Sequence, residues 1–275
     1  MLAASLGVIV GLVLGLTGAG GSVLAVPLLI WGMGWTLPQA APTALLAVSA
    51  AAILGTISAW PQGTVRYRAA MVMSATGLLI APFGLKAAQI LPVAVLSGLF
   101  AAVLALISIR MLRQAQSRPE ESKVVRAGLS TATEPSTAPL CTRNPDTGRF
   151  AWTRPCALAV AGSGVMTGFL SGLLGVGGGF VIVPALRSFT DLSFHSAVAT
   201  SLMAIAVTSA GTVAISIAQG QPLPVQVAMP FVTGALVGML MGRMSASKIA
   251  GPTLQKMFAS GMLLVSLGMV ATALR

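Results

Sequence analysis

Acidic residues are almost missing from this chain: 5 Asp and Glu among 275 residues, against 16 Lys and Arg. Charged residues of both signs make up 8%, where a soluble domain carries roughly 25%. With 56% hydrophobic residues and a mean hydropathy of +0.92, the chain cannot clothe its own surface in polar groups. Its solvent is therefore lipid, and the sequence describes an integral membrane protein. A net charge of +11 on a soluble chain would suggest nucleic acid, but here the bases lie between apolar stretches and report topology instead. The single histidine, His195, has no nearby cysteine or second histidine, which argues against a metal site. Two cysteines, Cys141 and Cys156, make neither a disulfide framework nor a metal-ligand spacing, and no cofactor is implied. Residues 1–20 lack a basic leading region and their pattern returns in mid-chain, so they are expected to belong to the fold rather than to a cleaved signal.

Apolar stretches are present over about 2–34, 37–60, 69–85, 91–112, 156–186, 194–218, 223–242 and 252–274. Most match the ~20 residues that cross a ~30 Å hydrocarbon core. The first and fifth are longer, and each is interrupted by a glycine cluster. Residues 15–29 read GLTGAGGSVLAVPLL and residues 172–186 read GLLGVGGGFVIVPAL, identical at eight of fifteen positions with a constant offset of 157. The same offset matches Ala40, Thr43, Leu45, Ala47 and Gly77 to Ala197, Thr200, Leu202, Ala204 and Gly234. The chain is thus read as a duplicated unit: membrane repeat 1 over 1–112, a linker over 113–153 and membrane repeat 2 over 154–275. The linker holds four of the acids and many Pro, Ser and Thr residues, and NPDTG at 144–148 signals a turn.

Basic loops alternate in antiphase between the halves. Arg66 and Arg68 follow the second stretch of the first half, while the matching QGQPLP at 219–224 has no charge. Arg243, Lys248 and Lys256 stand where the first half offers only Lys86. Under the positive-inside rule the repeats are inverted relative to each other. Five helical segments per half, an odd number, give the same inversion. The expected fold is all-α and polytopic, with two inverted repeats of about five segments. In each, the first segments are broken at the glycines, either as a re-entrant hairpin or as a tilted broken pair. Both termini then lie outside and the linker is cytoplasmic, which places all 16 Lys and Arg inside except Lys86 and Arg275.

An apolar helix broken within a bilayer exposes backbone groups that cost several kcal/mol each if unsatisfied. Such breaks persist where they face protein or a wet cavity, as at the midplane sites of secondary transporters. The helix that starts after each cluster, near Ser22 and Phe180, presents free N–H groups and a positive dipole end, the makings of an anion site. Glycine also serves close helix packing, so one cluster alone would say little; two at equivalent places favour a functional break. Neither copy has the full dinucleotide-binding glycine pattern. No Asp or Glu lies within an expected span, since Asp191 falls in a loop beside His195, and this disfavours a cationic substrate. The candidate anion-binding residues are Gly18, Gly20, Gly21, Ser22 and Thr43 in the first half. In the second half they are Gly175, Gly177, Gly178, Gly179, Thr200 and Ser201. His195 at a helix start suits capping or an ion pair, Arg66, Arg68 and Arg187 set topology, and Pro27 and Pro184 suit helix kinks.

The paired glycine clusters, each followed by a proline, and AVATSL at 197–202 resemble the TauE/SafE family of sulfite exporters, also called the toluene sulfonate uptake permease family. The resemblance spans both halves. It implies transport of a sulfur-containing anion, sulfite or an organosulfonate, across the inner membrane of a bacterium or archaeon. Export and uptake both remain open, as does an anion channel. An intramembrane enzyme is disfavoured, because no carboxylate, metal cluster or Ser–His pairing is evident. The expected partners are a small anion and the lipid bilayer, with no nucleic acid.

Overall fold

In the computed structural model, residues 2–18, 21–117, 141, 153–190, 194–221, 223–246 and 259–269 are described. The expected NPDTG turn, Gly20, Asp191 and the side chains of Arg187, Pro184 and His195 lie outside them. The first half supplies α1 (Leu2–Thr17), α2 (Gly21–Met33), α3 (Leu37–Ala59), α4 (Tyr67–Ile90) and α5 (Val93–Ser117). The second half supplies α6 (Arg154–Leu174), α7 (Gly179–Phe189), α8 (Phe194–Ala218), α9 (Val225–Ala246) and α10 (Ala259–Met269). Adding 157 to the bounds of α2, α3 and α4 lands within a residue or two of α7, α8 and α9. Five of these helices are long and apolar enough to cross a membrane: α3, α4, α6, α8 and α9. Among the described residues the extended structure is a single parallel bridge, Cys141 to Thr190.

Local signals explain the helix ends. At the start of α3 the backbone N–H of Thr36 donates to Gln39 Oε1 at 3.1 Å, and a proline occupies the first turn. At the start of α6, Thr153 Oγ1 accepts from the Cys156 N–H, again with proline in the first turn. α6 stops at Gly175, whose φ of 69° is open to glycine and strained for other residues. α4 begins two residues before its apolar run and continues five residues past it. Lys86 therefore lies within α4 and Arg243 on the last turn of α9, not in loops as the apolar runs suggest.

Two helix pairs pack backbone to backbone through glycine rows. Gly7, Gly11 and Gly15 of α1 lie against Phe231, Ala235 and Met239 of α9, while Gly234, Gly238 and Gly242 lie against Ala4, Val8 and Leu12. Gly164, Gly168 and Gly172 of α6 meet Met73, Gly77 and Ala81 of α4 in the same way. Numbers rise together in each pair, so α1 runs parallel to α9 and α6 parallel to α4. Both are small-residue interfaces of the kind that brings membrane helices close. Between them α3 crosses α8 in the opposite sense. Gly55 faces Leu202, whereas Val48 shares the surroundings of Gly177 with Ile205 and Ser209.

α1 and α2 form an antiparallel hairpin: Gly21 sits against Val10 and Leu14, and Gly32 against Leu6. α6 and α7 repeat it, with Gly178 folded back onto the Thr167 carbonyl. The hairpin geometry replaces the alternative of a tilted broken pair. The return arms, 13 and 11 residues long, reach about 20 and 17 Å at 1.5 Å per residue, too short to cross a ~30 Å core.

The cysteines correct an expectation. Cys141 and Cys156 are joined by a disulfide with Cα atoms 5.0 Å apart, and both are buried. A spacing of 15 residues carries no signal by itself; the pair forms because residue 141 is brought back beside the start of α6 and the end of α7.

Candidate functional site

The first turns of α2 and α7 meet in the interior. A Cβ placed on Gly179 would lie 3.5 Å from Ser22 Oγ and against the Ile205 side chain. Ser22 and Gly179 are equivalent positions of the two halves, so the contact marks the place where the halves face each other. Gly177, at φ 74°, would bring a Cβ to 2.5 Å from Ser209 Oγ and 3.4 Å from Val48. Val48 is the middle residue of α3, and Ile205 is one residue from the middle of α8. The two short helices thus begin at half the depth of the long ones, and their N-termini point at one another across the centre.

This centre is closed to the surroundings: Ser22 and residues 171–179 are all buried. It nevertheless holds uncommitted polar groups. Most buried hydroxyls here donate to a carbonyl three or four residues back in their own helix, as Thr167 does to Gly164 and Thr208 to Ala204. Ser171 Oγ and Ser209 Oγ have no partner at all. Ser209 faces Gly177, and Ser171 lies one turn beyond Thr167 on the α6 face that meets Gly178. Such groups are costly to leave unpaired in a protein interior. They lie beside the start of α7, where the Val181 N–H turns back to the Gly178 carbonyl at 3.1 Å, and the described residues around them include no carboxylate.

The sequence candidates separate into groups. Ser22, Gly177, Gly178 and Gly179 come together at this centre. Gly18 and Gly175 flank it in matching contacts, Gly18 against Val198 and Gly175 against Ala41, the same pair of positions in each half. Gly21 packs α2 onto α1. Thr200 Oγ1 is committed twice, accepting the Arg66 N–H at 3.0 Å and donating to the Ser196 carbonyl at 2.7 Å. Ser201 donates to the Val198 carbonyl. Thr43 is fully buried and its hydroxyl has no partner. Ser171 and Ser209 escape a sequence reading, because their neighbourhood is set by the return of α7 and not by their own motif. Ser171 stands four positions before Gly175, and that spacing is the one local hint.

Apolar spanning helices around a buried, donor-lined centre, where two half-length helices start, define a polytopic membrane transporter. The chain belongs to the TauE/SafE family: the family model described as "Sulfite exporter TauE/SafE" matches residues 3–269. It is 32% identical over 252 residues to a "Probable membrane transporter protein" of Xylella fastidiosa, covering 88% of this chain and 85% of that one. It is 29% identical over 217 residues to the "Probable membrane transporter protein YunE" of Bacillus subtilis, covering 74% and 73%. No solved structure matches the chain.

Proposed function

We propose that this protein is a secondary transporter that exports a small sulfur-containing anion, sulfite or an organosulfonate, by alternating access between two inverted repeats. Repeat 1 covers 1–112 and repeat 2 covers 154–275, in the inner membrane of the cell, with the linker 113–153 in the cytoplasm. The observation that carries the reading is the unpaired Ser209 hydroxyl, wholly buried and aimed at Gly177, where the N-terminus of α7 faces that of α2. A hydroxyl and free backbone N–H groups at a helix start are donors that suit an oxyanion. The sulfur-containing substrate comes from the family name. The opposite directions of the equivalent helices α3 and α8, and the parallel pairing of α1 with α9 and α6 with α4, support the inversion. A closed centre, with residues 171–179 buried, favours a transporter over an open channel.

In this mechanism the anion sheds water into the space between the first turns of α2 and α7. Ser209, Ser171 and Ser22 supply hydroxyls, and Gly177, Gly178 and Gly179 let the backbone approach. No fixed positive charge is needed, so the anion can also leave. The test is equilibrium binding of sulfite to the purified protein, with taurine and sulfate as competitors. Hydrogen bonds to a charged group are worth about 1.5–3 kcal/mol, so Ser209→Ala is expected to weaken sulfite binding by about tenfold or more. Unchanged binding in that variant would remove Ser209 from the site. Preference for taurine over sulfite would keep the site and change the substrate.

A further inference from the structure

Two hydrogen bonds tie the halves together on the face that carries the end of the linker, and the counterparts of both are missing on the opposite face. This linker face gathers Cys141, the starts of α6 and α8, the end of α7 and the turn between α3 and α4. There the Arg66 N–H, at the start of α4, donates to Thr200 Oγ1 of α8 at 3.0 Å. Nearby, Arg243 Nη1 of α9 donates to the Gly55 carbonyl of α3 at 2.9 Å. Shifted by 157 positions, the first bond would join the Leu223 N–H to Thr43 Oγ1, and the second would join Lys86 to the Thr212 carbonyl. Thr43 Oγ1 is without a partner, and Lys86 is exposed.

We infer that these two bonds are the closed linker-side gate of the transport cycle, and that Thr43 with Leu223 and Lys86 with Thr212 form the matching gate of the opposite face when the first opens. The inference rests on the reading of the halves as inverted repeats. Such proteins switch by exchanging the conformations of their repeats, so a bond made in one half and broken in the other is what one end state requires. Both bonds can be remade in the mirrored arrangement. Each uses one backbone group, independent of side chain, and its other member keeps its chemistry between halves: threonine for threonine, cation for cation. The unpaired Thr43 hydroxyl, costly where it stands, gains a partner in the alternate state. The opposite face has two further features among the described residues. Gln89 donates to Gln219 Oε1 at 3.3 Å between two exposed amides, and deeper in Ser266 of α10 donates to the Ala101 carbonyl of α5 at 2.8 Å. This face also holds a cavity of about 350 Å³ lined by Trp31, Trp35, Leu37, Val93, Ser97 and Met269.

The test is backbone hydrogen exchange on the full-length purified protein with no anion added, following the turn at 60–66 and the turn at 219–225. Thr200→Val and, independently, Arg243→Gln are expected to raise exchange at 60–66 and to lower it at 219–225, each by about tenfold, the equivalent of one hydrogen bond. Thr43→Val is expected to do the reverse. A purely local role for Thr200 and Arg243 would leave 219–225 unchanged in both variants, and that result overturns the gate. Two variants acting through different bonds keep the test open if one of them fails to fold. Because no anion is present, failure here is separate from failure of sulfite binding at the glycine centre.

Discussion

Gly177 and Ser209 show how much of the site depends on single atoms. At φ 74° any side chain on residue 177 costs roughly 1–2 kcal/mol in backbone strain, and a Cβ would press on Ser209 Oγ at 2.5 Å. Gly177→Ala is expected to lower the thermal midpoint modestly and to abolish sulfite flux, which unfolding in detergent and a proteoliposome assay would separate. Wild-type flux in that variant would contradict this placement of the site. Ser209→Ala carries no such strain and removes an unpaired hydroxyl, so its stability should hold or rise while binding falls. The glycine clusters and Ser22 were legible in the sequence because they break apolar runs at equivalent places. Ser171 and Ser209 were not, because which hydroxyls spend their proton on their own helix depends on rotamer and surroundings. Thr43 and Thr200 mark the same limit: alike in sequence, one is unpaired and the other doubly bonded.

At the scale of helices, glycine does two separate jobs that the sequence mixes. Gly18 and the cluster at 175–179 turn the chain, whereas the rows on α1, α4, α6 and α9 let backbones touch. A Cβ on Gly168 would fall inside contact of the Gly77 backbone, while around Gly98 nothing lies within 4 Å. Gly168→Val is therefore expected to cost about 1–3 kcal/mol or more through forced separation of α4 and α6. Gly98→Ala should be neutral or stabilising by up to about 1 kcal/mol. Thermal unfolding of both variants in the same detergent checks the contrast, and equal behaviour would refute the packing account. Most helices were legible from apolar runs near 20 residues long. Their ends were not, because α4 and α9 extend past the apolar run and carry Lys86 and Arg243 within the helix. The short arms α2 and α7 were visible as interruptions, but only the packing of Gly21 and Gly178 makes them hairpins.

For the whole molecule, the offset of 157 made the duplication legible, since composition and motif recur together. The disulfide was not legible, because it depends on where a 41-residue segment returns to the bundle. It also bears on sidedness. From the distribution of Lys and Arg the linker is proposed to be cytoplasmic, and disulfides are uncommon in that compartment. A reporter fused within 113–153 is expected to be cytoplasmic, with Cys141 and Cys156 trapped as thiols in growing cells and paired after purification in air. An extracytoplasmic reporter would reverse the orientation of both repeats while leaving the centre intact. The central claim, a small sulfur-containing anion moving through the glycine centre, is tested most directly by sulfite efflux from proteoliposomes under an imposed voltage. A potential of 100 mV supplies about 2.3 kcal/mol per charge. The account predicts saturable sulfite flux that follows the voltage and is lost in Gly177→Ala. Absence of any sulfite or sulfonate flux from protein that is folded and correctly inserted would contradict it.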